Sequence, residues 1–178
     1  MIMGIHQCNL IPWLPFFRKM HFSDKFCIMR FCQFEKNGWT NRFKVRDKWM
    51  TIPVKSAMEP IHYKEYVNGY RIGEVNIPLI YGFARMLGID TNKVVLDTET
   101  FESGTERIID ICKKNGCNQY LTNPEAEDKY LESSKMEQAG IKIVEFKVSK
   151  DYNISLFEAL EKWGIEGTSK MVRKKWTM

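Results

Sequence analysis

The side chains able to do chemistry gather in short polar stretches. His6-Gln7-Cys8-Asn9 closes an apolar run and is followed by Pro12-Trp13. The stretch from Gln33 to Arg42 is dense in hydrogen-bonding groups, with Lys36, Trp39, Asn41 and Arg42 among them. Thr122-Asn123 makes a third, smaller cluster. A histidine that follows a strand can act as a general base or hold an anion. Gln7, Asn9 and Asn41 supply neutral donors, and Lys36 or Arg42 suits a phosphate. Asp24, Gln33, Trp39 and Asn123 complete the candidate substrate-binding set.

Each of these positions also has a structural reading. A lone histidine is more often a hydrogen-bonded structural group than a catalyst. Trp13 and Trp39 suit packing, Lys36 suits a solvated loop, and Arg42 beside Asn41 could pin a hairpin. Asp24 precedes a strand, where it caps a turn, and Asn123 stands where a helix wants its N-cap. Cys8 as a nucleophile has no paired histidine apart from its close neighbour His6. No P-loop, dinucleotide fingerprint, nucleophile elbow or zinc motif is present.

The elements that must position these residues follow from periodicity and turn signals. Met1 to His6 reads as a buried strand, Pro12 to Met20 as a helix opened by Pro12, and Lys25 to Phe31 as a second strand. Arg42–Val45 and Trp49–Val54 form a hairpin. A helix over Tyr63 to Val67 is expected to stop near Gly69, and another over Ile77 to Leu87 is capped by Asn76 and ended by Gly88. Then come a strand over Lys93 to Asp97, a helix from the capping box Ser103-Gly104-Thr105-Glu106 to Lys114, and a strand over Gln119 to Thr122. A helix from Asn123 to Gly140, a strand from Ile141 to Phe146 and a closing helix from Ile154 to Trp163 finish the chain. Alternating strands and helices imply parallel pairing with right-handed crossovers. The expected fold is an α/β, Rossmann-like three-layer sandwich with a mostly parallel sheet and an inserted β-hairpin. In such a sheet ligands bind beyond the carboxyl ends of the strands. The functional reading therefore requires the cluster around His6 and the run from Trp39 to Arg42 to line one cavity.

The 178 residues suit a single domain over 1–169 with a basic C-terminal tail over 170–178, read as a frayed end. No run of apolar residues is long enough for a membrane span, and the start lacks a secretory n-region. Five cysteines without a CxxC pair and three scattered histidines describe neither a disulfide framework nor a metal centre. A cytoplasmic protein is expected. The net charge of +5 is uneven: residues 1–60 hold ten Lys/Arg against four Asp/Glu. A basic first third suits a phosphate-bearing ligand, with a solvated basic face as the alternative.

Ile5-His6-Gln7-x-Asn9 with Pro12-Trp13, Asp24, Gln33-Phe34-x-Lys36 and Trp39-x-Asn41-Arg42 resembles the WbqC-like protein family. The similarity continues through Leu87-Gly88-Ile89-Asp90-Thr91, Tyr120-Leu121, Tyr130-Leu131 and Ala139-Gly140-Ile141, and ends with Asn153-Ile154-Ser155 and Gly167. Cys8 stands where the family usually has proline, Pro15 where it has glycine, and Arg30-Phe31 where it has an acidic pair. The resemblance implies a part in surface-polysaccharide (O-antigen) amino-sugar modification, such as glycyl or other acyl transfer to a sugar-nucleotide amine. The order of His6, helix, Asp24, strand and Gln33-Phe34 is also similar to the opening of HIGH-type nucleotidyltransferases. That analogy introduces ATP as a cofactor, although the second histidine of that signature is absent.

Two classes of function follow. The first is a transferase acting on a sugar nucleotide, with His6, Gln7 and Asn9 catalytic and Lys36 and Arg42 on phosphate. The second is a binding module for a nucleotide-bearing ligand or nucleic acid. The partner is a sugar nucleotide or other phosphate-bearing small molecule, with nucleic acid in second place.

Overall fold

In the computed structural model, which describes residues 1–55 and 60–175, the chain opens with β1 (Ile2–Gln7), α1 (Leu14–Phe22) and β2 (Lys25–Met29). The first polar cluster thus occupies the turn leaving β1. A hairpin follows, β3 (Arg42–Val45) against β4 (Lys48–Thr51), closed between Val45 and Lys48 with Arg46 at φ 51. Next come α2 (Ile72–Met86), β5 (Val94–Leu96), α3 (Gly104–Lys114) and β6 (Gln119–Thr122). The chain then runs through α4 (Ala126–Lys129), α5 (Ser133–Gln138), β7 (Lys142–Glu145) and α6 (Leu156–Arg173).

Five strands pair in the order β5-β2-β1-β6-β7, and every pairing is parallel. Counted along the sheet strands alone this is the doubly wound order, which reverses at β1. The hairpin forms its own two-stranded sheet. Successive strand residues point to opposite faces, and the core divides accordingly. Phe26 and Ile28 join Phe16, Phe17, Ile80 and Leu156 on the face covered by α1, α2 and α6. Met3, Ile5 and Cys27 join Ile108, Ile111 and Met136 under α3 and α5. Burying each such side chain contributes roughly 1.5–3 kcal/mol, so both faces have to be covered and the sandwich follows. Gly4 lets β1 pass close to β2, because a Cβ there would lie 2.2 Å from Ser23 Oγ and 2.7 Å from the Phe26 ring.

Several sequence expectations are corrected. Helix α1 starts at Leu14, so the proline in its first turn is Pro15. Instead of a helix over Tyr63 to Val67 there is one 3-10 turn, Ile61–Tyr63. Helix α2 begins at Ile72, which places Asn76 inside it and fully buried. The expected helix from Asn123 to Gly140 is two short ones, because Leu131 turns inward to join the core under α3. The last helix starts one residue after Ser155, whose hydroxyl accepts from the Glu158 amide at 3.1 Å. It breaks at Gly164 (φ 64) and runs on to Arg173. The first residues of the expected basic tail are therefore helical, with Val172 fully buried; residues 176–178 lie outside those described. Among the described residues no helix is long and apolar enough to cross a membrane.

Candidate functional site

The site begins where two strand pairings end at different places. β1 stays in register with β2 from Met3↔Lys25 to Gln7↔Met29. Its pairing with β6 ends earlier, at Gly4↔Leu121. Beyond that pair the two strands part, and a cavity of about 540 Å³ opens at their carboxyl ends. Its size and position are those of a small-molecule site in a doubly wound sheet. β1 contributes His6 and Gln7, and the β6 region contributes Tyr120, Thr122 and Asn123. α1 contributes Phe16 and Lys19, and the start of α3 contributes Ser103, Gly104 and Arg107. Trp13, Phe31, Gln33, Tyr130 and Phe146 close the remaining wall.

His6 faces this cavity with the Phe16 ring against its edge, centroid to centroid 4.9 Å. Its Nδ1 lies 3.3 Å from the Gln7 carbonyl. A carbonyl only accepts, so the proton belongs on Nδ1 and the Nε2 lone pair is left open. Burial, reinforced by the nearby Lys19 ammonium and partly opposed by the Gln7 carbonyl, lowers the imidazole pKa to about 3. At neutral pH His6 is therefore uncharged. In that form it offers a hydrogen-bond acceptor.

The remaining candidates divide by place. Gln7, Gln33 and Asn123 line the cavity with His6. Asn9 is buried and is not part of the lining, and its Oδ1 lacks a hydrogen-bond partner among the described residues. Asp24 accepts from the Ile2 amide at 2.6 Å, which fixes it at the amino end of β1, across the sheet from the cavity. Lys36 is exposed on its loop. Trp39 stacks on Trp13 at 5.4 Å and meets Trp49 edge-on at 4.8 Å, so it backs the wall one ring removed. Asn41 donates to the Ile52 carbonyl at 2.9 Å and receives the Ile52 amide on its own carbonyl at 2.8 Å. The Arg42 guanidinium lies 4.1 Å over the Trp49 ring. These contacts make Asn41 and Arg42 parts of the hairpin's footing.

The two polar stretches nonetheless meet. The Leu10 amide donates to the Trp39 carbonyl at 2.9 Å. Asn76 then bonds the carbonyls of Cys8 and Thr40, both at 2.8 Å. Their junction supports the cavity wall, and of the second stretch Gln33 is the candidate that reaches the cavity itself.

A model described as the WbqC-like protein family matches residues 7–69 and 58–158. The chain belongs to the WbqC-like protein family. The matched segments hold both polar stretches of this WbqC-like chain except His6, together with every sheet strand after β1. It is also similar to a curated protein of Mycobacterium tuberculosis, the uncharacterized protein Rv1507c, with 23% identity over 189 residues, covering 80% of each chain. No solved structure matches it.

Sequence reasoning missed the charged residues that matter most in the cavity. Lys19 is buried, and its Nζ donates to the Ile5 carbonyl at 2.8 Å with the Tyr120 ring 5.3 Å away. Burial lowers its pKa to about 7, with the Cys112 thiol weakly opposing. A signal was available: Lys19 lies three residues after Phe16 and beside Met20, on the apolar side of the expected helix.

Arg107 and Asp97 were missed as well. Asp97, just past β5, accepts from the amides of Arg30 at 2.7 Å and Phe31 at 3.2 Å, and pairs with the Arg107 guanidinium. Arg107 also donates to the Phe31 carbonyl at 3.0 Å. Arg30-Phe31, standing where the resemblance expects an acidic pair, thus wraps a buried carboxylate and ties β2 to α3. At the mouth of β6, the Tyr130 hydroxyl lies 3.4 Å from the hydroxyls of both Tyr120 and Thr122.

Proposed function

We propose that this WbqC-like protein is an acyl or aminoacyl transferase that uses the cavity between β1 and β6, with the amine of a sugar nucleotide as acceptor. The observation that carries the reading is a cavity large enough for a small molecule at the carboxyl ends of β1 and β6, lined by the neutral His6. As the acceptor amine attacks an activated carboxyl donor, a C–N bond forms and the bond to the donor's leaving group breaks. Neutral His6 accepts a hydrogen bond from the attacking amine and orients it, and the amine proton leaves with the departing group. Gln7, Gln33 and Asn123 orient the polar edges of the substrate, and Trp13 and Phe31 supply apolar contact. Surface-polysaccharide amino-sugar modification is the setting that the family resemblance suggests.

The test is a thermal-shift screen of sugar nucleotides, ATP and amino acids, followed by mass spectrometry of every mixture that stabilises the protein. Transfer predicts a product heavier than the sugar nucleotide by one acyl group, and its loss in His6→Ala with the fold retained. Unchanged product formation in His6→Ala removes the assigned role. Stabilisation without any product would leave a nucleotide-binding module instead.

A further inference from the structure

We propose that Lys19 is the anion-recognition group of this cavity, its amine taking a phosphate or carboxylate oxygen of the ligand. The inference rests on reading the cavity as a substrate site, and it names the feature of the substrate that is recognised. Lys19 reaches from α1 to the point where β1 and β6 separate, and donates to Ile5, the first β1 residue beyond their last pair. An ammonium has three donors, and the Ile5 carbonyl uses one of them. Among the described residues no carboxylate pairs with it.

The other charged or titratable groups nearby offer no compensation. Arg107 is committed to Asp97 and to the Phe31 carbonyl. His6 on β1 is uncharged. Burial holds the Tyr120 phenol on β6 and the Cys112 thiol on α3 in their protonated forms. Glu102, the carboxylate in the cavity lining, is exposed, and among the described residues it forms no ion pair with Lys19. The cavity therefore contains a buried cation without a paired counter-charge, an arrangement that costs several kcal/mol unless the group loses its proton or an anion arrives. The Lys19 pKa of about 7 is the first of these responses. An incoming oxyanion supplies the second, and its charge favours the ammonium. Binding then takes up a proton, and affinity falls as pH rises above about 7.

The experiment follows Lys19 itself in the full chain. Lysine labelled with carbon-13 at Cε is titrated by NMR, with the Lys19 signal assigned by its disappearance in Lys19→Met, or in Lys19→Arg if the methionine variant does not fold. The wild type is titrated alone, with inorganic pyrophosphate, with a uridine-diphosphate amino sugar, and with acetate. The expected result is a midpoint moved upward by about one pH unit or more, a tenfold or greater coupling, by at least one of these anions. A shift with the phosphate compounds alone assigns the phosphate as the recognised group, and a shift with acetate alone assigns a carboxylate. A midpoint unmoved by all of them overturns the inference. Product formation with a stationary Lys19 midpoint sinks this inference and leaves the transferase standing; a moved midpoint without product does the reverse.

Discussion

The Asn76 carboxamide donates to the main-chain oxygen of Cys8 at 2.8 Å across 68 residues of sequence. The same nitrogen serves the Thr40 carbonyl, and the Tyr66 hydroxyl donates to its oxygen at 2.8 Å. Asn76 is wholly buried, so these bonds replace the water that all three partners lost on folding. Asn76→Ala would leave two carbonyls and a phenol without that partner, at a cost of about 2–4 kcal/mol. The urea midpoint should fall accordingly; a variant as stable as wild type would show that the knot contributes nothing.

His6 gives the stability curve a predictable acid limb. Its pKa is about 3 in the folded chain against an ordinary 6.5. The unfolded state thus binds the extra proton between those values, and stability falls as pH drops from 6.5 toward 3. Above 6.5 the group is neutral in both states and costs nothing. His6→Gln should flatten this limb in melting curves recorded between about pH 4 and 7. An identical slope in the variant would contradict the burial argument.

Lys19 sets a second window on the alkaline side. With its folded pKa near 7 and its ordinary value at 10.5, the penalty of burying the ammonium is complete below 7 and gone above 10.5. Wild-type stability should therefore rise through that range. Lys19→Met removes both the rise and the penalty, so the variant should melt higher than wild type near pH 6. The opposite order would mean that the bond to Ile5 outweighs desolvation.

Asp97 holds the far wall of the cavity. Removing its charge in Asp97→Ala strands the buried Arg107 guanidinium and the amides of Arg30 and Phe31, at a cost of about 3–5 kcal/mol. Chemical denaturation would read that loss. Ligand-induced thermal shifts should shrink too, because Phe31 and Arg107 both line the cavity.

Arg42 is the control. Its contact with Trp49 lies outside the cavity lining, so Arg42→Ala should leave binding and turnover within about twofold while His6→Ala abolishes turnover. Loss of turnover in a folded Arg42→Ala protein would return that residue to the substrate.

Local patterns were readable where one short segment determines the outcome. Gly88 and Gly116 end their helices with positive φ as their positions suggested, since a left-handed turn needs a residue without a Cβ. The hairpin from Arg42 was legible in the same way. Asn76 was not. A polar residue just before an apolar run resembles an N-cap. The helix starts earlier because its Arg71 amide finds the Glu74 carboxylate, at 3.4 Å, and because Ile72 has a core to enter. Asn76 then serves carbonyls that no local pattern could place beside it.

Alternation of strand and helix, with turn residues between them, determined from the sequence that this would be a doubly wound sheet with polar residues after its first strand. The family was legible too, through side chains spaced along that opening. Only the tertiary structure decided which polar residues share a cavity. That depends on β1 parting from β6 after Gly4 and Leu121, a register set between segments more than a hundred residues apart. It also decided that Lys19, one more cation in the sequence, is buried at the cavity with no carboxylate paired to it among the described residues, because desolvation belongs to the assembled surroundings of a side chain and not to the residue itself.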